Sequence, residues 1–196
     1  IRDRGQISLN WDRPFHDRWG QMFVFTAHLD SSVYKATKLD LLPNYAGINA
    51  ATTAQALPTA ALKMNWPFLK SMRNSSVILE PIVQLIAAPN YGNSRTRNMP
   101  NEDSLDYEFT DSTLFNINRH EGTDRLDGGL RANYGLHANW TFGSRQVDAL
   151  VGESLQEHID RNQLPDTGLQ THASDIVARL RFTPVPVSYT HLTLPT

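Results

Sequence analysis

The side chains that could do covalent chemistry are Ser154, His158 and Asp160. They carry the types of a nucleophile, a general base and its orienting carboxylate. A hydrolytic triad is defined by geometry, however, and needs a strained, presented nucleophile. No turn signal marks Ser154 as one, so no enzyme is expected. A second group is the acidic set Glu102, Asp103, Asp106, Glu108 and Asp111. Calcium loops place oxygen ligands at a fixed register around a turn glycine. That register is missing here, so a solvated loop is expected and no cofactor or metal is assigned. A third group is the arginines Arg131, Arg179 and Arg181, whose guanidinium groups can form charge-assisted hydrogen bonds.

The elements that must position these groups follow from period-two alternation. Across residues 129–142 one face reads Leu130, Ala132, Tyr134, Leu136, Ala138, Trp140 and Phe142. The other face reads Arg131, Asn133, Gly135, His137, Asn139 and Thr141. Successive strand side chains point to opposite faces, so this is a strand with one apolar and one polar side. The same pattern runs through residues 21–29, 59–68 and 77–87, and more weakly through 5–11, 147–155 and 174–183. On helices these sequences would scatter polar groups around the circumference. The connections alternate in length. Residues 12–18, 70–76 and 143–146 are short, whereas 40–57, 89–128 and 157–173 are long and polar. Short turns on one side and long loops on the other fit an antiparallel transmembrane β-barrel, here about seven strands of one. A soluble β-sandwich would alternate too, with its apolar face turned inward.

Composition agrees with either reading. The 196 residues are 40% hydrophobic and 19% charged, with a net charge of -2. Mean hydropathy is -0.42. Acids and bases are interspersed, which excludes the clustered basic footprint of a nucleic-acid binder. With no cysteine, disulfides, thiolate metal sites and thiol nucleophiles are absent from this stretch. No apolar run approaches the roughly 18 residues of a transmembrane helix. The chain opens on Ile1 without an apolar leader, so it reads as an internal piece of an exported protein. Residues 1–186 are assigned to one partial barrel domain. Residues 187–196 resemble a translated sequencing adapter and are expected to be foreign to the fold.

Several separated motifs carry a more specific signal. Leu79 to Gln84 is followed by Pro100 to Ser104, and then by Leu114, Phe115, Asn118 and Arg119. Next come Gly122, Asp124, Arg125, Gly128, Gly129, Arg131, Tyr134 and Gly135. Val151 to Ser154, Thr167 to Leu169, Ser174, Asp175 and Val177 complete the series. In this order, over residues 20–184, the chain resembles the C-terminal barrel of the LptD family of lipopolysaccharide-assembly proteins, alphaproteobacterial type. Glu153 stands where that family usually has Gln, and His120 where an aromatic is common.

The resemblance implies an outer-membrane location, no covalent chemistry, and lipopolysaccharide as cargo. It implies a plug lipoprotein of the LptE kind, periplasmic bridge proteins and outer-membrane lipid as partners. The lumen-facing polar candidates are Glu80, Gln84, Arg131, Asn133, His137, Asn139, Arg179 and Arg181. Asp103, Ser104, Arg119, Asp124 and Arg125 are candidates for pinning the long loop against that face. A general porin is the nearest rival within the barrel class.

Overall fold

Alternating sequence becomes sheet only where each strand finds a neighbour in register, and the ladders here are long. The computed structural model describes residues 2–41, 47–90, 108–120, 122–159 and 167–184. Its strands are β1 (Arg2–His16), β2 (Met22–Thr37), β3 (Ala50–Asn65), β4 (Phe68–Met72), β5 (Ser75–Ala88), β6 (Gly129–Phe142), β7 (Arg145–Gln156) and β8 (Val177–Thr183). A single 3-10 turn, Leu39–Leu41, is the one helical element among the described residues. All pairings are antiparallel, in the order β1-β2-β3-β5-β6-β7-β8, with β4 also on β5. The sheet does not close on itself among the described residues.

β4 is a continuation of β3. Asn65 pairs Ile82 and Phe68 pairs Leu79, so the register runs unbroken from β3 into β4. The gap falls where Pro67 and Pro81 face the junction, and proline has no N–H to donate. The Trp66 N–H still bonds the Pro81 carbonyl at 3.0 Å. The seven-strand expectation therefore describes the wall, with one ladder interrupted by prolines.

Several strands run further than the sequence pattern suggests. Residues 12–16, expected as a connection, extend β1, and the turn lies at 17–21. There the Asp17 carboxylate accepts from the N–H groups of Trp19 and Gln21, at 2.9 and 3.0 Å. Residues 50–57, expected within a long loop, belong to β3 and pair with β2 from Asp30 to Thr37. Alanine, threonine and glutamine dominate this part of β3, so the apolar contrast that reveals a strand is weak there. β8 in turn begins at Val177, three residues later than its alternation suggests. Tight connections at 17–21, 73–74 and 143–144 lie at one end, and connections of 38–49, 89–128 and 157–176 at the other. The segment 187–196, Asp103, Ser104 and Asp160 lie outside the described residues.

Register fixes the faces. Ile7, Leu9, Trp11, Phe25, Leu62, Val83, Leu85, Val151, Leu180 and Phe182 share one side with the apolar residues of β6. That side is uncovered. Leu130, Tyr134, Leu136 and Trp140 are 51, 42, 39 and 46% exposed. The two buried apolar clusters lie on the opposite, polar side, one around Leu114 and one around Tyr34. A soluble sheet hides its greasy face, and an uncovered apolar surface this continuous belongs against lipid or protein.

The face makes a testable demand. Leu136→Arg should cost about 2–4 kcal/mol of folding free energy if the position sits in hydrocarbon. Denaturant titration of the intact protein folded into lipid vesicles measures it. A cost near zero, the usual result for a water-exposed site, contradicts a lipid-facing wall.

Candidate functional site

The long connection between β5 and β6 returns over the polar face. Within its described part, the Phe109 N–H bonds the Thr167 carbonyl at 3.3 Å. A turn follows, with the N–H groups of Thr113 and Leu114 both bonded to the Thr110 carbonyl. The turn presents Leu114 and Phe115 to the sheet. Opposite them, Gly135 and Gly152 are directly paired in the β6–β7 ladder. A Cβ on Gly152 would lie 2.4 Å from Leu114 Cδ2 and 2.7 Å from the Tyr134 carbonyl oxygen. One on Gly135 would lie 2.9 Å from the Val151 carbonyl oxygen and 3.2 Å from Phe115 Cζ. The missing Cβ atoms form the hollow in which the apolar turn sits. Leu114 is fully buried there with Phe109, Leu169 and Val177, and Lys63 approaches the Phe115 ring at 5.1 Å.

Beyond this anchor the contacts become ionic. Arg119, 1% exposed, grips Asp127 with Nε at 2.5 Å and Nη2 at 3.1 Å. Its remaining donors reach Ser154 Oγ at 3.3 Å and Gln156 Oε1 at 3.2 Å. Arg131 donates to the same Asp127 carboxylate at 2.7 Å and to the Ile117 carbonyl. Burial alone would raise the Asp127 carboxyl, but the guanidinium groups of Arg131 and Arg119 outweigh it and hold the group well below the ordinary range. A polar row continues across the strands. Ser154 donates to Asn133 at 2.6 Å, Asn133 to Gln84 at 2.9 Å, and Gln84 to the Phe115 carbonyl at 3.1 Å.

The loop is tied at both margins of the sheet. Arg4 on β1 reaches Asp124 at 3.2 Å, and Tyr34 on β2 donates to the Thr123 carbonyl at 3.2 Å. At the other margin Arg179 on β8 pairs Asp111 at 2.8 Å. Asn118 donates to the Arg125 carbonyl at 3.1 Å, closing the loop on itself.

A second polar chain crosses the same face nearer the tight turns. Asn65 donates to Glu80 at 3.0 Å. His137 lies between Glu80 at 3.2 Å and Asp148 at 2.6 Å. Asp148 also accepts from Arg179 at 2.8 Å and from Asn139 at 3.5 Å.

The candidates from sequence thus fall into two rows. Gln84, Arg131 and Asn133 lie under the loop, and Glu80, His137, Asn139 and Arg179 form the second chain. Arg181 is exposed, opposite Asp148 in the ladder. The Arg131 guanidinium is committed to Asp127 and the Ile117 carbonyl, and that of Arg179 to Asp111 and Asp148, which leaves Arg181 as the candidate arginine open to solvent. Sequence reasoning missed Asp127, Asp148 and the role of the glycine pair. The spacing of Asp127 to Arg131 was the available signal for the first. Ser154 is wholly enclosed by Asn133, Arg119 and the neighbouring backbone, while the exposed His158 ring sits 3.8 Å from Glu157. Among the described residues no three His, Asp or Glu groups are arranged to hold a metal.

Two substitutions probe the docking. Asp127→Asn strands two buried guanidinium groups and should cost about 3–5 kcal/mol. Limited proteolysis should then cut within residues 108–128, where the parent should resist. The lowered carboxyl sets the pH window. Its contribution is complete above the ordinary value of 3.8 and declines as pH falls from there toward the lower folded value. Protease resistance should therefore persist from neutral pH down to about pH 4. Loss near pH 6 would exclude Asp127 as the pin. Gly152→Ala, blocked by backbone as well as by Leu114, should cost roughly 1–3 kcal/mol and raise amide hydrogen exchange in the loop. Unchanged exchange at Leu114 would show that the hollow is not needed.

Comparison with known proteins bears on this arrangement. The sequence profile of the LptD family, described as LPS transport system D, matches residues 2–193. A search of curated proteins returned no match. With an all-β antiparallel sheet, an uncovered apolar face and almost its whole length inside that profile, the chain belongs to the LptD family.

Proposed function

We propose that the chain forms part of the wall of an outer-membrane barrel that delivers lipopolysaccharide to the outer leaflet. The uncovered apolar face is the observation that carries this reading, because only acyl chains or a protein partner satisfy such a surface. On this reading the tight turns face the periplasm and the long connections face outside. The free sides of β1 and β8 are met by further strands, since unpaired backbone groups are costly in hydrocarbon.

The polar face then lines the lumen. The two rows of hydrogen-bonded side chains keep it wet and rigid, and the docked loop narrows it from the outer end. Arg181 and the edges of the second chain remain open to a sugar-phosphate head group. A plug lipoprotein of the LptE kind and periplasmic bridge proteins are the partners this role requires. The work is passage and orientation, with no bond made or broken.

Depletion of the protein in cells should stop newly made lipopolysaccharide from reaching the surface, read by labelling its sugars from outside. Reconstituted in liposomes, the intact protein should not speed swelling in small sugars, because the loop occupies the lumen. Normal surface labelling together with fast swelling would favour a general porin.

A further inference from the structure

We propose that the tight-turn rim of the apolar face is a binding surface for anionic glycerophospholipid headgroups of the periplasm-facing leaflet. This rests on the reading of that face as a membrane wall. Trp11, Trp66 and Trp140 occupy apolar-face positions in the turn-side half of their own strand runs, stepping along the ladder from level with Leu130 to level with Val77. Amphipathic rings settle where hydrocarbon gives way to headgroups, and each of these stands between the middle of its strand and the tight turn.

Basic side chains gather beside the same turns. Register puts Arg13, Lys70 and Arg145 on the apolar face within a few residues of the turns, and all three are exposed. Arg18 and Arg73 lie in the turns themselves. Among the described residues none of these five is ion-paired. Asp17 is the one acid in the three turns, and its carboxylate is occupied by the N–H groups of Trp19 and Gln21. That turn is braced further. The Trp66 indole donates to the Trp19 carbonyl at 3.2 Å, and Arg18 stacks 4.7 Å over the Trp19 ring.

Long basic side chains lay their stems along an apolar wall and raise their charge to the phosphate plane. Such charges beside each tight turn, unopposed there by a free acid and accompanied by indoles, complement a layer of anionic headgroups. The far edge of the same face lacks this character. There Glu153 accepts from the Tyr134 hydroxyl, and Lys35 stands directly opposite Asp3 in the β1–β2 ladder.

The test uses the intact protein in phosphatidylcholine nanodiscs carrying spin-labelled phosphatidylglycerol or spin-labelled phosphatidylcholine. Electron paramagnetic resonance reads the motionally restricted fraction of each probe. Phosphatidylglycerol should be enriched about threefold at low salt, and the enrichment should fade as salt screens the charges. The triple variant Arg13→Gln, Lys70→Gln, Arg145→Gln should abolish it, and Lys35→Gln should leave it unchanged. Equal restriction of the two probes, or a preference that survives the triple variant, overturns the proposal. So does an equal loss in Lys35→Gln, which would mean a response to bulk charge. Absence of a restricted component for both probes has a different meaning, because it removes the membrane wall itself.

Discussion

In hydrocarbon a backbone N–H or C=O has no water to turn to, and the ladder of this sheet answers that constraint. Adjacent strands are paired over most of their shared length, and the register holds even across the Pro67 and Pro81 junction. Once the backbone is satisfied in this way, side chains are free to divide strictly by face. The outward set can then be predominantly apolar without a covering layer, and the inward set can be polar without facing lipid. Everything specific to this chain is built on the inward side.

That side contains its own small core, which is unusual for a surface lined with Asn, Gln, Arg and Asp. The core is made by the returning loop. Leu114 and Phe115 sit in the hollow at Gly135 and Gly152, and beside them Arg119 reaches Asp127 next to Arg131. The two parts differ energetically. Two guanidinium groups and one carboxylate buried together carry a large desolvation cost, and such clusters are weak sources of net stability. The apolar anchor supplies the favourable term, since one fully buried leucine contributes about 1.5–3 kcal/mol. The ionic cluster supplies direction, because a bidentate Arg–carboxylate contact tolerates little rotation.

Alternation made the wall legible from sequence, because it acts one residue at a time. The outward set of β6 was readable in full. The upper part of β3 was not, because Ala, Thr and Gln pair with β2 without any contrast in polarity. The polar face was legible as a set and illegible as a network. Gln84, Asn133 and Ser154 come from three strands far apart in sequence, and they meet only because the register brings them level. Arg119 stood out by its motif, yet its main partner Asp127 did not. A carboxylate's partner is set by how the loop folds, and the alternation says nothing about that. Gly135 entered the pattern as one more member of the polar face. Its importance lies in the side chain it lacks, which becomes visible only when Leu114 arrives from another element.

The two polar rows also differ in what can disturb them. The upper row is sealed beneath the loop, so its carboxylate keeps its charge wherever Arg119 and Arg131 remain buried beside it. The lower chain is only partly buried, and it passes through His137 and ends at Arg179, which also holds Asp111 of the loop. Arg179 therefore couples the two. The loop's two marginal ties, Arg4 to Asp124 and Arg179 to Asp111, each run through a partly exposed guanidinium, whereas the Leu114 seat at the glycine pair is fully buried. Water and salt therefore weaken the margins of the docking before they reach its centre.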